Sequence, residues 1–376
     1  MAFVVATFGW GIGFYGPAIY LPTLHQSRGW PVSTISVAIT AHFLTSAALV
    51  AWLPKACRRL GVGRVILAGA LLSALGAVAW ANVRQPWHLV PAFLLSGGGW
   101  AATSGTALNE MVAPWFDDDR PKAISTAFNG ASVGGIVFVP LWTALISAVG
   151  LSSAALVLGS TMIILVCPLA LRFLPTSSTA GTSAGQAAVS RLQLARSRQF
   201  LTISLAFALG LFAQIGLFAH LVSRLAPALG QSFAAGAISL TTLCAILGRT
   251  LFGWLIGDRD RRSAAAVSLS IQAMGSLLLA YGSGFPSLVL GCVLFGLGVG
   301  NLTSLPPLIA QREFSTVDAP TVVALVTSIN QAVFAFAPAI FGALRETTDN
   351  YTFAFLFAGV LQIVAATVIL GGRRFS

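Results

Sequence analysis

Apolar stretches of spanning length recur from one end of the chain to the other, and the segments between them hold most of the charges together with many prolines and glycines. A helix that crosses the hydrocarbon core of a bilayer needs roughly 20 mostly apolar residues. Reading the stretches against their charged and Pro/Gly punctuation predicts twelve spans, with approximate limits 2–24, 32–53, 63–82, 88–111, 122–147, 151–173, 199–222, 231–256, 263–282, 286–309, 320–343 and 351–371. The clearest interruption is 174–198, where PTSSTAGTSAGQAAVS is small and polar and leads to Arg191, Arg196 and Arg198. It predicts a cytoplasmic linker between an N-terminal six-helix bundle, 1–173, and a C-terminal six-helix bundle, 199–376. The expected fold class is therefore all-α integral membrane. The first apolar stretch, Ala2 to Leu24, has no basic region before it and no small-residue cleavage site, so it reads as a spanning helix and not as a signal peptide.

The two halves echo one another at an offset of about 200 residues, the pattern of a parallel internal repeat. The basic loop ending at Arg64 matches the one ending at Arg262. Ser96-Gly-Gly-Gly in span 4 matches FGLGVG from Phe295 in span 10, and Asn129-Gly130 in span 5 matches Asn330-Gln331 in span 11. The matches keep their order along the chain, so the bundles are expected to be related by a pseudo-two-fold axis.

Composition narrows the function classes. Of 376 residues, 56% are hydrophobic and only 8% charged, with a mean hydropathy of +0.87, which excludes both a disordered chain and an ordinary soluble domain. The net charge of +11 does not point to nucleic acid, because no basic stripe alternates with aromatic residues. With the N-terminus inside, 16 of the 21 basic residues fall in cytoplasmic segments and only Arg28, Arg84, Arg224 and Arg345 outside. Positive charge stays on the cytoplasmic side, so both termini are expected there, in a multi-pass protein of the cell inner membrane. Cys57, Cys167, Cys244 and Cys292 are isolated and predict neither a disulfide framework nor a metal site. The glycine runs lack the preceding strand and following Gly-Lys-Ser/Thr of a phosphate loop. No nucleophile–base pairing is visible, so neither enzyme activity nor a cofactor is expected.

The loops between spans 2–3 and 8–9 carry LPKACRRLGVGR and GWLIGDRDRR. A glycine, an acid and a basic run at these places resemble the signature of the major facilitator superfamily, and the resemblance extends over essentially the whole chain. It implies the major facilitator fold and a cytoplasmic gate motif at Gly61, Arg64, Gly253, Asp258, Arg259 and Arg262. Asp258 stands one place later than usual, and Arg58 occupies the position of the first-half acid. Within the superfamily, GFYGPAIYLPTL with GWPVSTIS, WFDDDRPKA leading into NGASVGG, and Arg249-x-x-x-Gly253 are similar to the branch of monocarboxylate transporters and oxalate–formate antiporters. That resemblance implies a span-8 arginine on the substrate carboxylate, at Arg249. The branch's additional lysine is absent from spans 1 and 11, and Ala245 stands one turn before Arg249 where an aspartate often lies.

Arg249, inside LTTLCAILGRTLFGWLIG, is the clearest intramembrane charge. A guanidinium at the centre of a spanning helix costs roughly 2.5–3.5 kcal/mol on insertion scales, so it is expected to face protein or water. Lying eight residues from the predicted helix end, it sits roughly 12 Å deep. Its planar fork matches a carboxylate through two hydrogen bonds. It is also placed to be a structural brace, and both readings stay open. One deep cation suits a single negative charge better than two. His42, near the middle of span 2, is a candidate for a coupling proton or a hydrogen-bonded packing residue. Glu110, at the end of span 4, is a proton site or a gate partner of Arg120 or Lys122. Gln214, Asn330 and Gln331 are central amides that hold substrate or tie helices together, and Tyr15 is a candidate cavity wall. Trp10, Trp30, Trp52, Trp87 and Trp115 read as interfacial anchors, and Pro17, Pro22, Pro140, Pro306, Pro307 and Pro338 as kinks.

These observations predict a monomeric secondary transporter that moves a small organic anion, a monocarboxylate by resemblance, by alternating access. Proton coupling and anion exchange both remain open. The rival is an exporter of amphipathic drugs or metabolites in which Arg249 is structural.

Overall fold

The computed structural model describes residues 1–376 except 117–118, 175–189, 256–259, 349 and 373–376. Among the described residues there is no strand. Among the described residues nine helices, or ten when one bent pair is taken together, are long and apolar enough to cross a membrane. Two features account for the difference from twelve. Spans 5 and 6 run on as one helix, Arg120–Phe173, interrupted by non-helical backbone at Gly150. Its φ of 80° is costly for any residue with a Cβ. Span 4 is divided at Ser104 into Leu89–Thr103 and Gly105–Val112, each too short to cross alone. The bent pair is span 2, Val32–Val50, with the loop helix Leu53–Leu60. Between that loop helix and span 3, Val62–Ala81, Gly61 adopts φ 84°, which only glycine takes readily.

The remaining spans are Ala2–Phe8 to Gly16–Arg28 (span 1), Arg198–Leu229 (span 7), Gln231–Leu255 (span 8), Arg261–Tyr281 (span 9) and Thr352–Gly371 (span 12). Span 10 is Phe285–Val299 and Asn301–Glu313, joined at Gly300, whose φ of −61° and ψ of −30° stay helical; span 11 is Ala319–Phe334 and Ala337–Thr348. Span 1 contains a π-helical turn, Gly9–Phe14. A short helix, Arg191–Arg196, precedes span 7.

The chain divides into two compact units: Met1–Ala188 with Val323–Ser328, and Val189–Val322 with Ile329–Ser376. Within the first, spans 2, 3 and 4 meet through glycines. A Cβ on Gly76 would lie 2.5 Å from the Ser96 nitrogen, one on Gly97 2.6 Å from the His42 carbonyl, and one on Gly99 2.4 Å from the Ser73 nitrogen. The second unit repeats these contacts 199 residues later: Gly275 against Phe295, Gly296 against Thr241 and Gly298 against Gln272. The internal repeat is thus preserved at the level of individual backbone contacts. Close helix approach through small residues replaces the hydrophobic drive that lipid cannot supply. The core of the second unit gathers Leu217, Leu221, Leu279, Phe295, Phe341 and Phe355. Large apolar residues such as Leu75, Ile164, Leu247 and Met274 are exposed, as lipid-facing positions require.

Trp52, Trp87 and Trp115 are exposed as anchors would be, but Trp10 is buried. It packs edge-on to Trp100 at 4.7 Å and to Phe128 at 5.8 Å. The π-helical turn carries its indole inward, a rotation that sequence position did not reveal.

Candidate functional site

Arg249 is buried, 4% exposed, and stands roughly 9 Å along span 8 from Leu255. Its Nε–H donates to the Gly300 carbonyl at 2.8 Å, and Nη2 donates to Thr303 Oγ1 at 3.4 Å. Both acceptors belong to span 10, so through these bonds the side chain braces its own unit.

Three of the amides selected from sequence are buried, and the oxygen of each lacks a hydrogen-bond partner: Gln214 Oε1 on span 7, and Asn330 Oδ1 and Gln331 Oε1 on span 11. Buried polar atoms are nearly always paired, so each exception calls for an explanation. None of these three oxygens accepts a hydrogen bond from Arg249. Tyr15, half-buried, follows the π-helical turn and packs its ring edge-on to Phe14 at 5.1 Å.

His42 is fully buried in the first unit. Nε2 lies 3.0 Å from the Gly13 carbonyl and Nδ1 2.8 Å from Ser96 Oγ, which also accepts from Trp80 Nε1 at 2.9 Å. A carbonyl only accepts, so Nε2 carries the hydrogen, and a neutral ring then accepts from Ser96 at Nδ1. Gly13 lies in the π-helical turn. The histidine thus satisfies a carbonyl of an irregular helix, just as Trp142 Nε1 does for Gly11 at 3.2 Å. Glu110 has one buried oxygen without a hydrogen-bond partner, and the charges acting on it are Arg58 and Arg120. Lys122, the other gate candidate, pairs instead with Asp119 at 2.9 Å.

Of the signature residues, Gly61 forms the left-handed corner after the loop helix, Arg64 is exposed and Gly253 is buried. Asp258 and Arg259 lie outside the described residues. Arg262 is 2% exposed and forms the densest polar cluster in the second unit. Nε and Nη2 grip Glu313 Oε1 and Oε2 at 2.5 and 2.7 Å; Nη1 donates to Thr202 Oγ1 at 2.9 Å and to the Ile369 carbonyl at 2.8 Å. Spans 7, 9, 10 and 12 are tied at one point, beside a cavity of about 460 Å³ lined by Gln199, Asp260, Arg312 and Glu313 among others. Glu313 was not singled out from sequence, since it lies at a helix end 51 residues from its partner. Thr303 carried no signal beyond its place next to the glycine run.

The geometry fits what comparison with known proteins returns. Residues 1–338 match the family model described as Major Facilitator Superfamily. Monocarboxylate transporter 13 of Rattus norvegicus is 26% identical over 318 residues, covering 83% of this chain and 73% of the relative. Monocarboxylate transporter 12 of Homo sapiens is 25% identical over 347 residues, covering 82% and 67%. Among solved structures, the E. coli fucose:proton symporter FucP superposes with a TM-score of 0.75 at 18% identity over 99% of this chain and 98% of that one, which establishes likeness of fold. With its helices, its repeat and nearly its full length accounted for, this chain belongs to the Major Facilitator Superfamily, a family of multi-pass membrane transporters and not of enzymes.

Proposed function

We propose that the protein is a secondary transporter of a small organic monoanion, a monocarboxylate, working by alternating access as a monomer in the cell inner membrane with both termini cytoplasmic. The observation that carries this is a buried guanidinium, Arg249, inside membrane-spanning span 8, at the position where the resemblance to monocarboxylate transporters implies a carboxylate contact. Its planar fork suits a carboxylate through paired, charge-assisted hydrogen bonds. The partnerless oxygens of Gln214, Asn330 and Gln331 supply acceptors for the polar remainder of the substrate. The monocarboxylate-transporter relatives support the substrate class at low identity. The bond from Arg249 to Gly300 supports the second reading, an exporter of amphipathic compounds in which the arginine is purely structural.

Thermal-shift titration of purified protein with acetate, propionate, L-lactate and pyruvate, and with hydrophobic amines, separates the two readings. Stabilisation by carboxylates that is lost in Arg249→Lys is expected. Stabilisation by amines alone, unchanged in Arg249→Lys, would put the exporter first.

A further inference from the structure

The two halves of the internal repeat use their loop cations differently. In the second unit the loop between spans 8 and 9 carries Asp258 and Asp260 among its arginines. The cations that open span 9 turn into the protein. Arg262 is 2% exposed and bonded to Glu313, Thr202 and the Ile369 carbonyl, and Arg261 donates to the Leu308 carbonyl. The first-unit counterpart, residues 53–64, holds Lys55, Arg58, Arg59 and Arg64 with no acid. All four are exposed. Among the described residues Lys55, Arg59 and Arg64 enter no ion pair.

The loop helix Leu53–Leu60 bends away from span 2 by 57° and ends at the Gly61 corner. At about 100° per residue, its side chains divide into three strips. Leu53, Pro54 and Cys57 are buried and fasten the helix to its unit. On the opposite side Arg58, Lys55 and Arg59 follow one another around the axis, and beyond them come Trp52 and Leu60, 55% and 51% exposed. The Lys55 ammonium stands over the Trp52 ring at 5.7 Å, at the seam between the cationic and apolar strips. An exposed apolar strip beside a cationic one suits a helix lying in the plane of the membrane interface. Its tryptophan and leucine meet the acyl boundary, and its cations reach the headgroups.

We infer that this helix docks an anionic phospholipid: Lys55 and Arg59, one turn apart, hold the phosphodiester, and Trp52 and Leu60 rest against the acyl chains. The leaflet this lipid belongs to rests on the proposed orientation, which makes it the cytoplasmic one. A neutral headgroup would leave the cationic strip without a net counter-charge, whereas each basic residue beside an anionic surface strengthens attachment about fivefold. Arg58 stands next to the pair but also acts on the Glu110 carboxylate, so it is left intact in the test.

Full-length protein in neutral detergent is titrated with phosphatidylglycerol, phosphatidylcholine and free glycerol phosphate, and retained lipid is counted by native mass spectrometry. The wild type is expected to hold phosphatidylglycerol about tenfold more tightly than phosphatidylcholine at low ionic strength. Salt at about 0.5 M should abolish the preference. Lys55→Gln/Arg59→Gln should lose most of it at an unchanged melting temperature, and Trp52→Ala should weaken both lipids alike. Arg345→Gln, which removes a cation from the other unit, should bind as wild type. Should the double variant fail to fold, Lys55→Gln alone decides, with a loss of about fivefold expected. Equal retention of the two lipids by the wild type overturns the site, as does a preference that survives the substitutions or the salt. Displacement of the bound lipid by glycerol phosphate also overturns it, because the site would then belong to a soluble phosphate ester. Detergent solution has no sides and contains no substrate, so failure here leaves the transport reading and the orientation standing.

Discussion

Arg249 and Arg262 lie 13 positions apart in sequence and are both almost fully buried, yet their surroundings assign them opposite tasks. Arg262 meets a carboxylate of its own chain and ties four helices; Arg249 donates to the Gly300 carbonyl and the Thr303 hydroxyl of span 10. Glu313→Gln should therefore leave a buried guanidinium poorly compensated. The expected cost is about 3 kcal/mol, at the low end for breaking a buried pair because Glu313 is 24% exposed, and it is read as a lowered melting temperature. For His42 the packing role is the one its bonds favour. His42→Ala should cost about 1–3 kcal/mol by stranding the Gly13 carbonyl and Ser96. In a folded His42→Asn protein the pH profile of uptake should match wild type; a shifted profile would restore the proton role. Arg249 was legible in the sequence because a charge inside an apolar run is conspicuous. The Arg262–Glu313 pair was half legible, through the signature that contains Arg262. The bonds of His42 were not legible, since they depend on which carbonyl a π-helical turn presents.

At the scale of the helix, the glycine runs that echo one another in spans 4 and 10 are places of close helix contact, repeated at a spacing of 199 residues. Gly76→Val and Gly275→Val occupy equivalent places, with Cβ positions 2.5 and 2.4 Å from backbone nitrogens, and should each destabilise by about 1–3 kcal/mol. Comparable shifts in melting temperature for the two variants would bear out the equivalence, and a large inequality would contradict it. The interruptions were less legible. Proline was an uneven guide: Pro140, Pro306 and Pro307 lie inside helices, while span 11 is divided just before Pro338. A proline removes a hydrogen bond, but where a helix yields is decided by what its neighbours offer the released carbonyls.

Across the whole molecule, hydrophobic periodicity and length made the all-helical membrane class legible, because lipid leaves the backbone few other solutions. The separation of spans 5 and 6 was legible as well, since Gly150 marks the corner inside one continuous helix. Sidedness is a further expectation at this scale. Single cysteines replacing Arg59 and Arg84 should be shielded from and open to an impermeant thiol reagent added outside intact cells, respectively. The reverse pattern would invert the orientation. The most direct measurement is uptake of radiolabelled acetate, propionate, L-lactate and pyruvate by reconstituted protein, wild type beside Arg249→Lys. Loss of the planar fork with the charge retained should reduce uptake roughly tenfold or more, at equal protein and unchanged melting temperature. Uptake by Arg249→Lys equal to that of the wild type would contradict a carboxylate held by this arginine.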